Sequence, residues 1–248
     1  MKKIEVYRDK QDLKIEAVLI ENKTYVQLLG LVRVLSLPYD IIRSGNRVTL
    51  STKTHPKRQP LLGSRIAISA GHGNSRNVSP INKAYNESDF VLQVARKLEL
   101  KLLADGAAVF LPRRLRSEDM SLTERTNRIS SFGADITLDI HTDASSDSKA
   151  RGVHCISSVN RPPNLAAYLA SSVAASMGLP IRQRGVWQKK GPRGFDWHHM
   201  LRVPHGHNVI IEGGFHSSPE DMAILLRPEA VENYATGLHE GLLSYLMD

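Results

Sequence analysis

Apolar positions along this chain fall in two rhythms, and the alternation between them sets the architecture. Ile66-Ala67-Ile68-Ser69-Ala70 is a short apolar run closed by Gly71-His72-Gly73, the pattern of a buried strand leaving its sheet. From 87 to 104 the rhythm becomes helical. Val91, Val94, Leu98 and Leu102 share one stripe, and Glu87 lies one turn before Val91 on that stripe. Asp105-Gly106 ends the helix, and 107–111 reads as the next strand. Ser121-Leu122-Thr123-Glu124 is a capping box, opening a helix that runs to Phe132 and stops at Gly133. Further strands are expected over 135–140, 151–157 and 208–211. Helices are expected over 164–177, stopped by Gly178 and Pro180, and over 229–246. Residues 182–207 show neither period and are expected to be irregular. Strands alternating with helices predict an α/β domain over 65–248, with a mostly parallel twisted sheet and helices on both faces.

Ahead of it, residues 14–20 and 24–28 read as strands around Asn22, and Leu28, Leu31, Val32 and Leu35 have helical spacing up to Pro38. Residues 39–42 and 47–50 flank Ser44-Gly45-Asn46, which has hairpin chemistry. This predicts a small α+β domain over 1–52, followed by a polar, basic linker over 53–64 with prolines at 56 and 60. Asn22-Lys23-Thr24-Tyr25-Val26-Gln27-Leu28, the short helix and the hairpin closing on Val48-Thr49-Leu50 resemble the small domain at the N-terminus of copper amine oxidases. That domain also occurs on bacterial cell-wall proteins. Residues 1–50 contain no histidine, so no copper chemistry comes with the resemblance.

Composition narrows the classes. The 248 residues are 41% hydrophobic and 23% charged, which is ordinary globular material. Cys155 is the single cysteine, so any metal must be held by His, Asp or Glu. No run approaches the length of uncharged apolar residues that spans a membrane. The first residues lack the apolar core of a secretory signal. That predicts synthesis in the cytoplasm and action outside it, after release. The net charge of +8 is uneven. Residues 1–60 carry 12 Lys/Arg against 6 Asp/Glu, a net of +6, and residues 61–248 carry 21 against 19, a net of +2. A basic module favours a polyanion. Nucleic acid is set aside, because the basic stretch lacks the interleaved aromatics of such binders.

Three expected strands end in a functional side chain, at His72, His141 and Glu212. Glu87 adds a carboxylate on the buried face at the head of a helix. Strand ends in such a sheet open on one crevice. Two histidines and two glutamates there suit one zinc ion and one general base, since catalytic zinc takes three protein ligands and leaves one position open. Asp139 or Asp143, beside His141, could orient that ring through its second nitrogen. A charge closing Val209-Ile210-Ile211-Glu212 is costly unless it is functional or paired.

Residues 65–248 resemble the zinc-dependent N-acetylmuramoyl-L-alanine amidases of family 3, which cut peptidoglycan. Ser69-Ala70-Gly71-His72-Gly73 stands at that family's Asp-Pro-Gly-His-Gly. Asn86-Glu87 stands at its helix-heading Glu. Ala134-Asp135-Ile136-Thr137-Leu138-Asp139-Ile140-His141-Thr142-Asp143-Ala144 and Glu212-Gly213-Gly214-Phe215-His216-Ser217-Ser218-Pro219-Glu220-Asp221 match its later motifs. The helix Leu122-Thr123-Glu124-Arg125-Thr126-Asn127 matches loosely. The resemblance implies zinc on His72, Glu87 and His141, with Glu212 as the catalytic acid/base. It also implies peptidoglycan as substrate, with hydrolysis of the amide between N-acetylmuramic acid and L-alanine by an endolysin, an autolysin or a spore lysin. Ser69-Ala70 departs from the family's Asp-Pro, and the stretch 189–207 is unusual. Its Phe195, Trp197, His198 and His199 are read as lining a substrate groove, and the basic first domain as holding anionic wall polymers. Two alternatives remain. One is a zinc carboxypeptidase on a related fold, although its His-x-x-Glu meets Ser75 here. The other is a wall-binding protein without activity.

Overall fold

The structure is a computed structural model that describes residues 59–147 and 149–248 in full, and of residues 1–58 the backbone of six strands. Two compact units divide the chain: Met1–Leu62 with Leu103–Ala107, and Gly63–Leu102 with Ala108–Asp248.

In the first unit the strands are β1 (Lys3–Arg8), β2 (Gln11–Asp12), β3 (Ala17–Ile20), β4 (Lys23–Tyr25), β5 (Asp40–Ser44) and β6 (Arg47–Ser51). They form a sheet ordered β4-β3-β1-β6-β5, with β2 paired to β1. Both expected hairpins are present, as antiparallel β3/β4 and β5/β6. Strand β1 adds to the expected set. Its Lys3-Ile4-Glu5-Val6 alternates charged and apolar residues, the period of a half-buried strand. The helix expected over 28–35 lies outside the described residues.

The second unit contains β7 (Arg65–Ala70), α1 (Glu87–Ala104), β8 (Ala108–Phe110), α2 (Leu122–Phe132), β9 (Ile136–Asp143), β10 (Val153–Ser157), α3 (Asn164–Met177), β11 (Ile181–Trp187), β12 (His207–Phe215), α4 (Pro219–Leu225) and α5 (Ala230–Met247). Its sheet runs β11-β10-β12-β9-β7-β8. Strands β8, β7, β9 and β12 are mutually parallel, while β10 is antiparallel to β12 and parallel to β11. The sheet is therefore mixed and mostly parallel. Its central strands are buried almost end to end, as expected where helices cover both faces. Helix α2 begins where Ser121 Oγ accepts from the Glu124 N–H at 3.1 Å and ends at Gly133 with φ 69°.

Two features depart from the sequence reading. Residues 182–187, expected to be irregular, belong to the edge strand β11. Arg182, Gln183 and Arg184 face mostly outward and break any apolar alternation. Strands β9 and β12 also run past His141 and Glu212. Between Glu212↔His141 and Phe215↔Asp143 the register slips by one residue, a bulge at Gly213-Gly214. Gly214 takes φ 107°, a conformation closed to ordinary side chains. A Cβ on Gly213 would overlap the ring of Tyr234 from α5. The Tyr234 hydroxyl, fully buried, lies 2.9 Å from His141 O and 3.0 Å from Ile211 O, so one side chain ties both strands together beside the bulge. Removing it strands a buried carbonyl. Tyr234→Phe is expected to cost about 1–2 kcal/mol of stability, read as a lower urea midpoint with an unchanged slope. An unmoved midpoint would contradict this role.

Candidate functional site

Strand ends and the head of α1 converge on one point. His72 follows β7 by two residues, Glu87 opens α1, and His141 and Glu212 are register partners on adjacent parallel strands. One ligand atom from each of His72, Glu87 and His141 lies within 4.8 Å of the other two. The rings of His72 and His141 meet edge to face, with centroids 4.9 Å apart. Gly71 makes this possible, because a Cβ there would overlap the His141 imidazole.

Glu87 is fully buried. Its Oε1 lies 2.9 Å from His141 Nδ1 and accepts from the Thr142 N–H at 3.0 Å. Its Oε2 lies 3.2 Å from His72 Nε2 and accepts from Asn77 Nδ2. Burial alone would raise the Glu87 pKa, but the hydrogen bonds from His141 and His72 outweigh it and hold the carboxyl far below its usual range. Burial also opposes charge on His141. Asp139 Oδ2, 3.2 Å from Nε2, and Glu87 on the other nitrogen overcome that and push its pKa well up. His141 thus sits between two carboxylates that favour its protonated form, and a divalent cation at the same atoms would compete with that proton. Behind Glu87, Thr142 Oγ1 is bonded to His216 Nδ1 at 3.0 Å and to the Tyr85 hydroxyl at 3.1 Å.

Two buried arginines fix the His72 turn. Arg125 donates to Ala70 O at 2.9 Å and to His72 O at 2.6 Å, and Arg113 donates to Gly71 O at 2.9 Å and Ser88 O at 3.0 Å. Sequence reasoning gives neither a role: Arg113 stands in an arginine-rich polar stretch that looks solvated, and Arg125 enters only within the loosely matching helix motif. Ser69, where the family pattern has Asp, is buried and receives Arg125 at 3.3 Å.

Glu212 is held differently. Its Oε2 is buried and finds no hydrogen-bond partner among the described residues. Burial pushes its pKa up to about 8, with His141 opposing and the carboxylates of Asp143, Glu87 and Asp139 assisting. It can hold a proton near neutrality.

The remaining candidates disperse. Asp139 reaches His141, whereas Asp143 turns away from it, with Oδ2 lying 3.4 Å from Arg182 and 3.6 Å from His154 Nε2. His198 is partly buried, and its pKa is lowered mainly by burial and also by Lys189 and His141. His199 Nε2 lies 3.4 Å from Thr126 Oγ1 on α2. Phe195 and Trp197 are 59% and 50% exposed, and Lys189 Nζ lies 4.0 Å above the Trp197 ring. The loop carrying them is anchored by buried Asp196, which accepts from Ser158 Oγ at 2.8 Å and the Val159 N–H at 2.7 Å.

Residues 66–244 match the family model described as N-acetylmuramoyl-L-alanine amidase. The chain belongs to the N-acetylmuramoyl-L-alanine amidase family. Among curated relatives it is similar to N-acetylmuramoyl-L-alanine amidase LytC of Bacillus subtilis (strain 168), at 28% identity over 208 residues, which are 81% of this chain and 39% of LytC. The chain thus spans about two fifths of that relative. Among solved structures it resembles the catalytic domain of the amidase CwlV of Bacillus (Paenibacillus) polymyxa var. colistinus. The TM-score is 0.64 at 24% identity, covering 74% of this chain and 98% of CwlV's. Cwp6 from Clostridium difficile gives a TM-score of 0.66 at 24% identity, over 73% of this chain and 29% of its own. These two likenesses establish the amidase fold for the second unit.

In this amidase-family site, Glu212 makes the fold pH-sensitive. Its folded pKa of about 8 lies above the value of about 4.3 in an unfolded chain. Between those values the folded state keeps a proton that the unfolded state has lost, so its contribution to stability falls as pH rises. In protein treated with a chelator, Glu212→Gln should flatten the decline in urea midpoint between pH 5 and pH 8.5. Parallel pH slopes in parent and variant would show that the carboxyl is not perturbed.

Proposed function

We propose that this chain is a zinc-dependent N-acetylmuramoyl-L-alanine amidase, hydrolysing the amide between the lactyl group of N-acetylmuramic acid and the L-alanine of the stem peptide. One observation carries the reading: the His72, Glu87 and His141 ligand atoms lie mutually within 4.8 Å, and Glu212 is the register partner of His141 on the adjacent strand.

The donor set fits zinc. Two imidazoles and one carboxylate are a known catalytic set, and the second nitrogen of His141 is already oriented by Asp139. A zinc ion held by these three residues supplies a Lewis acid for the scissile carbonyl. In its ionised form Glu212 takes the proton of the attacking water and then delivers it to the departing L-alanine nitrogen, work suited to a group whose pKa lies near the working pH. Asp139 keeps the His141 ring in place. Glu87 keeps its charge, because its hydrogen-bond partners hold it ionised.

The exposed rings of Phe195 and Trp197, with His198 and His199, form one wall of the substrate groove in this proposal, supported by the exposure of both rings on a loop anchored by buried Asp196. The first unit, resembling the copper amine oxidase N-terminal domain, holds anionic wall polymers through its excess of positive charge. Retention of the full chain on purified walls should weaken steeply with salt, and salt-independent retention would count against this role.

Purified cell walls should lose turbidity with the appearance of new L-alanine amino groups. Chelation should abolish this and added zinc restore it. Glu212→Gln should lower kcat by roughly 10²–10⁴-fold while zinc binding persists. Release of a C-terminal amino acid instead would favour the carboxypeptidase alternative. Digestion by Glu212→Gln at the parent rate would overturn the assignment.

A further inference from the structure

The turn between β7 and α1 carries a residue that the three-ligand zinc site does not use. Asn77 Nδ2 lies 3.1 Å from His72 Nε2 and also donates to Glu87 Oε2, so its carboxamide touches two of the three ligands at the atoms that would face a cation. Its backbone is fixed against theirs. The Glu87 N–H donates to Asn77 O at 2.9 Å, and Val78 bridges Asn86 next door. Asn77 has φ 67°, a left-handed conformation that asparagine tolerates better than most side chains. The turn therefore projects this amide into the centre by construction.

We propose that Asn77 is a fourth protein ligand of the metal centre, binding the cation through its side-chain oxygen. The inference rests on the zinc reading. A carboxamide carries a donor and an acceptor of nearly equal outline, and a half-turn about its last bond exchanges them. With Nδ2 inward it donates to Glu87 and abuts the His72 ring nitrogen. With Oδ1 inward, the same position offers a neutral oxygen to a cation that those two ligand atoms also face. A tetrahedral zinc site has room for one such donor beyond His₂Glu.

Other nearby groups are already engaged. Asp139 holds the far nitrogen of His141. His216 Nδ1 is 3.9 Å from Glu87 Oε2 and is bonded to Thr142. Glu212 is needed for proton transfer. Asn77 is exposed to solvent on its outer side, so the amide can swing out when a substrate carbonyl arrives. It would thus guard the centre until substrate displaces it.

The test uses the full chain, stripped and reloaded, with zinc affinity read by competition against a chelating dye and the ligand field read from the visible spectrum of the cobalt(II) form. Asn77→Gly removes the donor while tolerating the left-handed backbone. Asn77→Asp keeps an oxygen in place. Zinc affinity should fall by about tenfold or more in Asn77→Gly and be kept or raised in Asn77→Asp, with the cobalt bands moved in the glycine variant alone. Equal affinity and unchanged cobalt bands in Asn77→Gly would overturn the fourth ligand while leaving the zinc reading intact. Failure of the parent to take up one equivalent of metal would overturn both.

Discussion

A fully buried carboxylate at the head of a helix is the constraint from which the rest of this site follows. Ionised Glu87 would be strongly unfavourable in the interior of a protein without compensation. It is compensated on each side: by His141 and the Thr142 N–H at one oxygen, and by His72 and Asn77 at the other. Those partners come from β9 and from the turn after β7, so satisfying one charge gathers three segments distant in sequence. The three atoms that could hold a cation are assembled around the carboxylate that draws them together.

The neighbouring carboxyl obeys the opposite logic. Glu212 shares the crevice and is register partner to His141, yet its Oε2 has no hydrogen-bond donor among the described residues and burial drives its pKa upward. Two glutamates in one pocket are thus pushed apart, one toward permanent charge and one toward carrying a proton. That separation is what the proposed division between a metal ligand and an acid/base requires. The backbone around them is held rigidly, with Arg113 and Arg125 directing their donors to carbonyls of the His72 turn.

Much of this is legible in the chain itself. Ile66 to Gly73 announces a strand and its exit, Ser121 and Glu124 announce a helix start, and the spacing alone sets Glu87 on the apolar stripe of its helix. These are local patterns, in which spacing and residue type carry the information. Asn77, Arg113 and Arg125 are different. Their partners are a distant carboxylate or backbone carbonyls, and neither a polar loop nor the polar helix α2 tells a buried guanidinium from a solvated one. Strand β11 escapes for a related reason: an edge strand rich in arginine lacks alternating apolar residues. The bulge at Gly213-Gly214 reads as a strand end, because two glycines signal both a stop and a kink.

The two margins of the catalytic sheet have a bearing on how this protein behaves at high concentration. One margin is β8, only three residues long, and the other is β11, lined with arginines. Neither offers the long, flat, uncharged row of backbone donors and acceptors on which a foreign strand could grow. A short border on one side and mutual repulsion on the other discourage stacking of one molecule's sheet onto the next. Resistance to sheet growth is thus written into residues that lie outside the His72, Glu87 and His141 cluster.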